Sequence, residues 1–347
     1  MKKLVKTYHI QNASGISSIH VGEKFKNLEQ YLPYSQVIII TDQNIKQYYQ
    51  NDFPDVPVIT IGTGETNKTL AVLETILKKL IHYSCDRSSF ILGIGGGIVC
   101  DIAGFAASVF LRGVRFGFVS TSLLSQVDAS IGGKNGVNLD SYKNMVGTFN
   151  QPEFVICDIE LLNTLPQVQI SNGLAEIVKH ALICDKNLFD FIEKNQKKAL
   201  GLDYDTIFKL VSDSVKIKSQ IVHKDEKESD ERKKLNFGHT IGHAIEKIDH
   251  TSHGSAISMG MVAAAEFSQK KGLITGKDVL RITNLLTDLN LPTIYEYNAD
   301  DIIKAVLKDK KKHGSTLFYV FLEKIGKARV EQISLDEMNS LIKGSLT

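Results

Sequence analysis

Arg232, Asn236, His239 and His243 recur at i, i+4, i+7 and i+11 in the stretch Arg232-Lys-Lys-Leu-Asn236-Phe-Gly-His239-Thr-Ile-Gly-His243. On a continuous helix over Lys234 to Ile248 and its approach, that spacing stacks a guanidinium, an amide and two imidazoles along one face. A third imidazole, His253, follows the short polar segment Asp249 to Ser252, which lets the chain turn back toward that face. Two of these histidines and a carboxylate from elsewhere would make a divalent-metal site with an open coordination position. A lone histidine on a helix is ordinarily a surface or satisfied core residue, so the joint pattern carries the reading. Gly238 and Gly242 strengthen it, because they thin the helix for close approach of another element.

A carboxylate is available on a second helical segment, where Glu176, Lys179 and His180 lie at i, i+3 and i+4. Spacing alone favours a surface ion pair between Glu176 and Lys179 over a ligand role for Glu176. Lys218 is a further cation able to reach a site, and Asp225, Glu226 and Glu228 read as a solvated charged stretch.

Anion-binding chemistry is suggested in the first half. Gly93-Ile-Gly-Gly-Gly97-Ile-Val-Cys-Asp101 follows a strand and opens a helix, where backbone amides and the helix dipole can hold a phosphate. It departs from the dinucleotide fingerprint, with Ile98 at the third glycine position and no acidic residue about 20 positions on. Two neighbours argue against a purely geometric turn. Thr63-Gly-Glu65-Thr-Asn-Lys68 offers a carboxylate and an ammonium suited to ribose and phosphate, and the hydroxyls of Thr121-Ser122 follow another strand. Downstream, Asp128-Ala-Ser-Ile-Gly-Gly-Lys134-Asn-Gly-Val-Asn138 and Lys143-Asn144 form a glycine-rich polar segment, a solvated loop by default. With Arg112-Gly113 it concentrates cations, as an acidic phosphorylated substrate requires.

The elements that must position these groups follow from periodicity. Apolar runs at Val37 to Ile40, Val56 to Ile61, Phe90 to Ile94, Phe116 to Val119 and Phe154 to Cys157 alternate with amphipathic segments, predicting a parallel sheet covered by helices. After Leu165-Pro166 helical periodicity dominates, in Ser171 to Cys184, Asp203 to Val222, Lys234 to Ile248 and Ser255 to Lys271. The expected organisation is an α/β nucleotide-binding domain over residues 1–166 and a mainly α-helical metal- and substrate-binding domain over 167–347.

With 41 basic and 39 acidic residues the net charge is +2, which gives nucleic acid no general foothold. Cys85, Cys100, Cys157 and Cys184 lack metal or redox spacing and read as reduced thiols of a cytoplasmic protein. The basic start has no apolar region behind it, so no secretory signal is expected. The apolar stretch from Ser88 to Leu111 contains Asp101 and several glycines, so it reads as strand, loop and helix and no membrane span is expected.

In this order the motifs resemble the dehydroquinate synthase family, sugar phosphate cyclases of the shikimate pathway. The resemblance covers roughly Gly62 to Lys311 and rests on Gly95-Gly-Gly-Ile-Val-Cys-Asp101, Arg112-Gly113, Val127-Asp-Ala-Ser-Ile-Gly-Gly-Lys134, Lys143-Asn144, Ala175-Glu-Ile-Val-Lys179, Leu235 to Glu246, and His253-Gly254. It implies a carbon–oxygen lyase of dehydroquinate synthase-like fold, usually a homodimer, with an active site in the cleft between an NAD-binding domain and a metal domain. Glu176, His239 and His253 become the zinc ligands by this resemblance, with cobalt or iron also suited to the set. His243, equally a ligand by spacing, becomes a neighbour of the metal or a substrate contact. NAD falls to Asp42, Glu65, Lys68, Gly96, Gly97, Asp101, Thr121 and Ser122, with Lys134, Lys143 and Thr164 nearby. The implied substrate is 3-deoxy-arabino-heptulosonate 7-phosphate, a phosphorylated sugar acid, contacted by Arg112, Lys134, Asn144, Lys179, Lys218, Arg232, Asn236 and His243, with Asp128 also at an active-site position. Asp309-Lys310-Lys311 resembles a further basic motif, its spacing to Gly314 leaving open which lysine serves.

The resemblance also implies a redox cycle. Hydride leaves the substrate for NAD, the resulting ketone acidifies the neighbouring C–H, phosphate is eliminated, and the hydride returns before ring opening and aldol closure to 3-dehydroquinate. Ser120-Thr121-Ser122, Leu139 and Ser255 stand where Pro-Thr-Thr, His and Glu are more usual. A sister cyclase would keep both sites and use another sugar phosphate. A metal-dependent polyol dehydrogenase would release NADH and need fewer phosphate-binding cations, and an NAD-binding pseudoenzyme would be expected to lose the catalytic positions present here.

Overall fold

The computed structural model describes residues 4–12, 15–140, 142–294, 298–310 and 316–345. Two compact units emerge, Met1–Pro166 with Ile207–His223, and Gln167–Thr206 with Lys224–Thr347. The first break follows Pro166, where the periodicity changes, but residues 207–223, expected in the helical half, belong to the first unit.

In the first unit the strands are β1 (Lys6–Asn12), β2 (Gly15–Val21), β3 (Val37–Asp42), β4 (Val58–Ile61), β5 (Phe90–Gly95), β6 (Arg115–Ser120), β7 (Lys134–Leu139), β8 (Tyr142–Phe149) and β9 (Phe154–Cys157). Among the described residues seven of them form one sheet in the order β1-β2-β9-β6-β5-β3-β4. The β1–β2 pair is antiparallel and the remaining neighbours are parallel. Each predicted apolar run is a strand, and Ile38, Ile39, Ile40, Phe90 and Leu92 are fully buried. Burying one such side chain contributes about 1.5–3 kcal/mol. The helices α1 (Gln43–Tyr49), α2 (Leu70–His82) and α3 (Gly97–Val109) follow β3, β4 and β5. The polar segment expected to be a solvated loop is ordered instead. Residues Ser125–Ala129 form a π-helical turn, and β7 pairs with β8 as a separate antiparallel hairpin whose Asn135 and Val137 are buried.

The helices α4 (Gln167–Cys184), α5 (Lys186–Leu200) and α6 (Tyr204–Lys224) come next, and α6 passes out of the second unit and through the first. Its middle is fixed there by Tyr8, whose hydroxyl bonds Ser212 Oγ at 2.6 Å, and by Lys218, which donates to the Asp128 carbonyl at 2.6 Å. The second unit continues with α7 (His239–Asp249), α8 (His253–Lys270), α9 (Gly276–Asp288), α10 (Ala299–Lys310), the hairpin β10 (Thr316–Lys324) and β11 (Lys327–Ser334), and α11 (Leu335–Ser345). Lys311, one of the two alternative basic residues near Gly314, lies outside the described residues. Among the described residues no helix is long and apolar enough to cross a membrane.

Candidate active site

The helix expected over Lys234 to Ile248 starts five residues later, at His239. Arg232 and Asn236 lie on a short 3-10 turn, Glu231–Asn236, separated from α7 by Phe237 at φ −55, ψ 126 and by Gly238 at φ 78. At that break α8 passes too close for a side chain. A Cβ on Gly238 would fall 2.7 Å from Met261 Cγ, and one on Gly260 would fall 2.0 Å from the Gly238 carbonyl oxygen. Arg232, Asn236, His239 and His243 therefore do not share one helical face.

The same close packing assembles the candidate metal site in the second unit. A Cβ on Gly242 would meet the Ala256 carbonyl at 2.9 Å, and one on Gly254 would meet Asn172 Cα at 2.4 Å. Gly254 thus lets α8 begin against α4, one turn before Glu176, and brings the adjacent His253 to that carboxylate. Ser252 and Ser255 share a 2.8 Å hydrogen bond beside it, and Ser252 donates to Asn172 Oδ1 at 2.8 Å. Glu176 Oε1 lies 3.4 Å from His253 Nε2 and 3.7 Å from His239 Nε2. The ligand atoms of Glu176, His239 and His253 all fall within 4.8 Å of one another.

Glu176 is fully buried and ion-paired with Lys179, itself 1% exposed, so the surface pair expected from spacing is an interior one. Burial alone would raise the Glu176 pKa, but the Lys179 ammonium and the His253 and His239 rings hold it well below the usual carboxylate range. Burial and the nearby Lys179 push His239 well below an ordinary imidazole, leaving it neutral and able to act as a ligand. His253 is raised to about 9 despite its burial, because it faces Glu176 and Glu246. Neither Glu176 oxygen has a hydrogen bond of good geometry. A sealed carboxylate facing two imidazole nitrogens at 3.4 and 3.7 Å fits a divalent ion and leaves a coordination position open.

His243 stands beside these candidate ligands, its ring 5.2 Å from that of His239 and 6.2 Å from that of His253. His243, Glu246 and His253 form a second group whose ligand atoms lie within 4.8 Å, so geometry, like spacing, brings His243 near the centre without placing it opposite Glu176. Glu246, unassigned from sequence, lies 3.8 Å from His253 Nδ1, while Nε2 of the same ring faces Glu176. Its signal was available as an acid three positions after His243.

The acidic stretch before Arg232 is structured, contrary to expectation. Asp225 accepts backbone N–H groups from Ser229 at 2.9 Å, Asp230 at 2.7 Å and Arg232 at 3.1 Å. The Arg232 guanidinium donates to the Glu226 carbonyl, and the Asn236 amide donates to Glu228. These acids hold in place the cation and amide that sequence had singled out.

In the first unit, α3 opens directly behind β5. Gly96 caps it, with an added Cβ 3.3 Å from Ser122 Oγ, while the Thr121 N–H donates to the Gly95 carbonyl at 3.0 Å. Gly97, Thr121 and Ser122 therefore share the mouth of a 13-residue helix, a ready anion site. Lys68 pairs with Asp101 and donates to Asn144 Oδ1 at 2.5 Å, while Glu65 accepts from Asn138 at 2.8 Å. Burial raises the Asp101 carboxyl against the opposing pull of the Lys68 ammonium. Asp128 is ion-paired with Lys218 at 2.5 Å. Arg112, Lys134 and Lys143 are exposed. Asp42 caps α1 by accepting the Ile45 N–H at 3.0 Å, and the Thr164 hydroxyl lies 2.9 Å from Tyr49 Oη.

The profile described as 3-dehydroquinate synthase N-terminal matches residues 58–172, and that described as 3-dehydroquinate synthase C-terminal matches residues 173–312. The 3-dehydroquinate synthase of Thermoanaerobacter pseudethanolicus is 39% identical over 328 residues, covering 91% of this chain and 92% of its own. A crystal structure of 2-deoxy-scyllo-inosose synthase complexed with carbaglucose-6-phosphate, NAD+ and Co2+ superposes with a TM-score of 0.83 at 27% identity, covering 98% of this chain and 100% of that one. ValA, a 2-epi-5-epi-valiolone synthase from Streptomyces hygroscopicus subsp. jinggangensis with NAD+ and Zn2+ bound, has the same fold, with a TM-score of 0.87, 22% identity and 98% of both chains covered. With the two profiles together matching residues 58–312 and a relative this similar over nine-tenths of its length, the chain belongs to the 3-dehydroquinate synthase family, enzymes of the lyase class.

Proposed function

We propose that this chain converts 3-deoxy-arabino-heptulosonate 7-phosphate to 3-dehydroquinate and phosphate, using recycled NAD and a divalent ion held by Glu176, His239 and His253. The observation that carries the metal part is the convergence of those three ligand atoms within 4.8 Å around a buried carboxylate. When bound, NAD supplies reversible hydride transfer and the ion, zinc or cobalt, supplies Lewis-acid polarisation of a substrate oxygen.

The chain's own residues bind, orient and hold charge. In the first unit, the α3 mouth at Gly96, Gly97, Thr121 and Ser122 takes the pyrophosphate, Glu65 accepts from ribose hydroxyls, and Lys68 neutralises Asp101 beside it. Asp42, Lys143 and Thr164 complete the nucleotide side. Arg112, Lys134, Asn144 and Lys218, the last held by Asp128, meet the substrate's anionic and hydroxyl groups. In the second unit, Lys179, Arg232, Asn236 and His243 do the same, with Arg232 and Asn236 oriented by Asp225, Glu226 and Glu228. The assembly is a homodimer of the cytoplasm in this reading.

The test is to incubate the metal-loaded protein with NAD and 3-deoxy-arabino-heptulosonate 7-phosphate and to follow phosphate, product and NADH together. Equal phosphate and dehydroquinate without accumulating NADH are expected. Net NADH would point to a dehydrogenase. Binding of NAD and metal without turnover would favour a sister cyclase, the alternative that the likeness to 2-deoxy-scyllo-inosose synthase keeps in view.

A further inference from the structure

Asn138 is bonded on one side to a residue proposed for the nucleotide and on the other to a residue proposed for the substrate. Its side-chain amide donates to Glu65 Oε1 at 2.8 Å, and its side-chain carbonyl accepts the backbone N–H of Asn144 at 2.8 Å. Its own backbone N–H donates to the Lys68 carbonyl at 2.8 Å, and it forms a parallel bridge with Thr69. Lys68 closes the circuit by donating to Asn144 Oδ1 while paired with Asp101. The loop after β4, the start of α3 and the β7–β8 hairpin are thereby tied through a few polar groups.

A primary amide satisfies both sides of this position. Glu65 as a carboxylate can only accept and the Asn144 N–H can only donate, so the group between them must donate on one side and accept on the other. Aspartate would set a second carboxylate against Glu65, and an aliphatic side chain would leave the Asn144 N–H without its acceptor. Asn144 also sits at φ 52, in the left-handed region, and strained conformations persist where surroundings over-determine them. Its bonds to Asn138 and Lys68 do that here.

We propose that Asn138 is a positioning residue that sets Glu65 and Asn144 together, so that nucleotide bound at the Glu65 loop and sugar phosphate bound at β8 reinforce one another. The inference rests on the functional reading above. Such coupling is reciprocal, since whatever affinity the substrate gains from bound nucleotide the nucleotide gains from substrate.

Asn138→Asp in the metal-loaded protein is expected to raise the half-saturating NAD concentration and the sugar phosphate KM together, each about 10-fold, the effect of one charge-assisted hydrogen bond. Adding Glu65→Gln exchanges donor and acceptor and restores the bond. The sugar phosphate KM of the double variant should therefore return to within about twofold of that of Glu65→Gln alone, as a strongly coupled pair requires. A residue that merely supported the fold would give a double variant no better than Asn138→Asp. An effect on one constant only, or no recovery in the double variant, overturns the inference. A parent protein that turns over none of this substrate overturns the functional reading instead. Calorimetric titration with NAD then decides the present point, an unchanged affinity in Asn138→Asp overturning it and an approximately 10-fold loss upholding it.

Discussion

Glu176 and Lys179, one helical turn apart on α4, form an ion pair whose partners are both sealed from solvent. A pair of this kind adds little net stability while intact, but removing one member strands the other's charge in the interior. Lys179→Met should destabilise the metal-free protein by about 3–5 kcal/mol. The metal-loaded variant should lose less, because a bound cation supplies positive charge beside Glu176. Thermal melts with and without chelator measure the difference, and equal losses in both states would contradict a metal at Glu176.

Glu246 lies 3.8 Å from His253 Nδ1, where its charge raises the basicity of that ring. Glu246→Gln should lower metal affinity by about 10–100-fold, read by titrating Co2+ and following its visible spectrum. His253→Ala should abolish metal retention and turnover with the circular dichroism preserved. Full metal content in that variant would remove His253 from the ligand set.

Asp225 is drawn down to about 2: burial pushes it upward, but the N–H groups of Asp230, Ser229 and Arg232 stabilise its charged form more. A carboxylate depressed on folding contributes stability that is fully present above its unfolded value, about 3.9. That contribution is lost as pH falls through about 2. Asp225→Ala should cost about 1–3 kcal/mol at neutral pH and remove this component from the acid transition between those values. It should also raise the substrate KM, since Arg232 loses its backbone anchor. An acid titration followed by circular dichroism, with steady-state kinetics at neutral pH, tests both.

Gly238 holds φ 78 against the backbone of Met261. Gly238→Ala incurs the left-handed penalty of about 1–2 kcal/mol and forces α7 away from α8. His239 heads α7, so metal content should fall more than stability. Metal analysis alongside a melt would show it, and an intact metal site would mean that α7 can shift without carrying His239 away.

The sheet was legible in the sequence because its parallel strands are buried on both faces and therefore read as short apolar runs, as at Val37 to Ile40 and Phe90 to Ile94. The β7–β8 hairpin was not, since it stands apart from the main sheet and carries glycines and exposed polar groups such as Lys134, Lys143 and Asn144. His239 and His253 were visible as candidates, yet spacing could not separate them from His243, because their nearness to Glu176 arises where Gly254 lets α8 reach α4. The break at Phe237 and Gly238 was invisible for a related reason. Helical spacing continues through it, and a lone glycine inside a helical pattern does not by itself mark a break. Asp225 and Glu228 resembled a solvated run because their partners are backbone amides and nearby side chains, which leave no periodic trace.

The passage of α6 through the first unit sets an order of events during synthesis. The sheet can gather its strands once Cys157 has been made, but Tyr8 must wait for Ser212, 204 residues later, and Asp128 for Lys218. The chain between them lays down α4 and α5 of the second unit before the first is closed. Contacts so distant in sequence slow folding through the loop entropy they must overcome. Neither unit can therefore be born whole before the other has begun, and a chain cut at the Pro166 boundary would separate Tyr8 and Asp128 from their partners on α6.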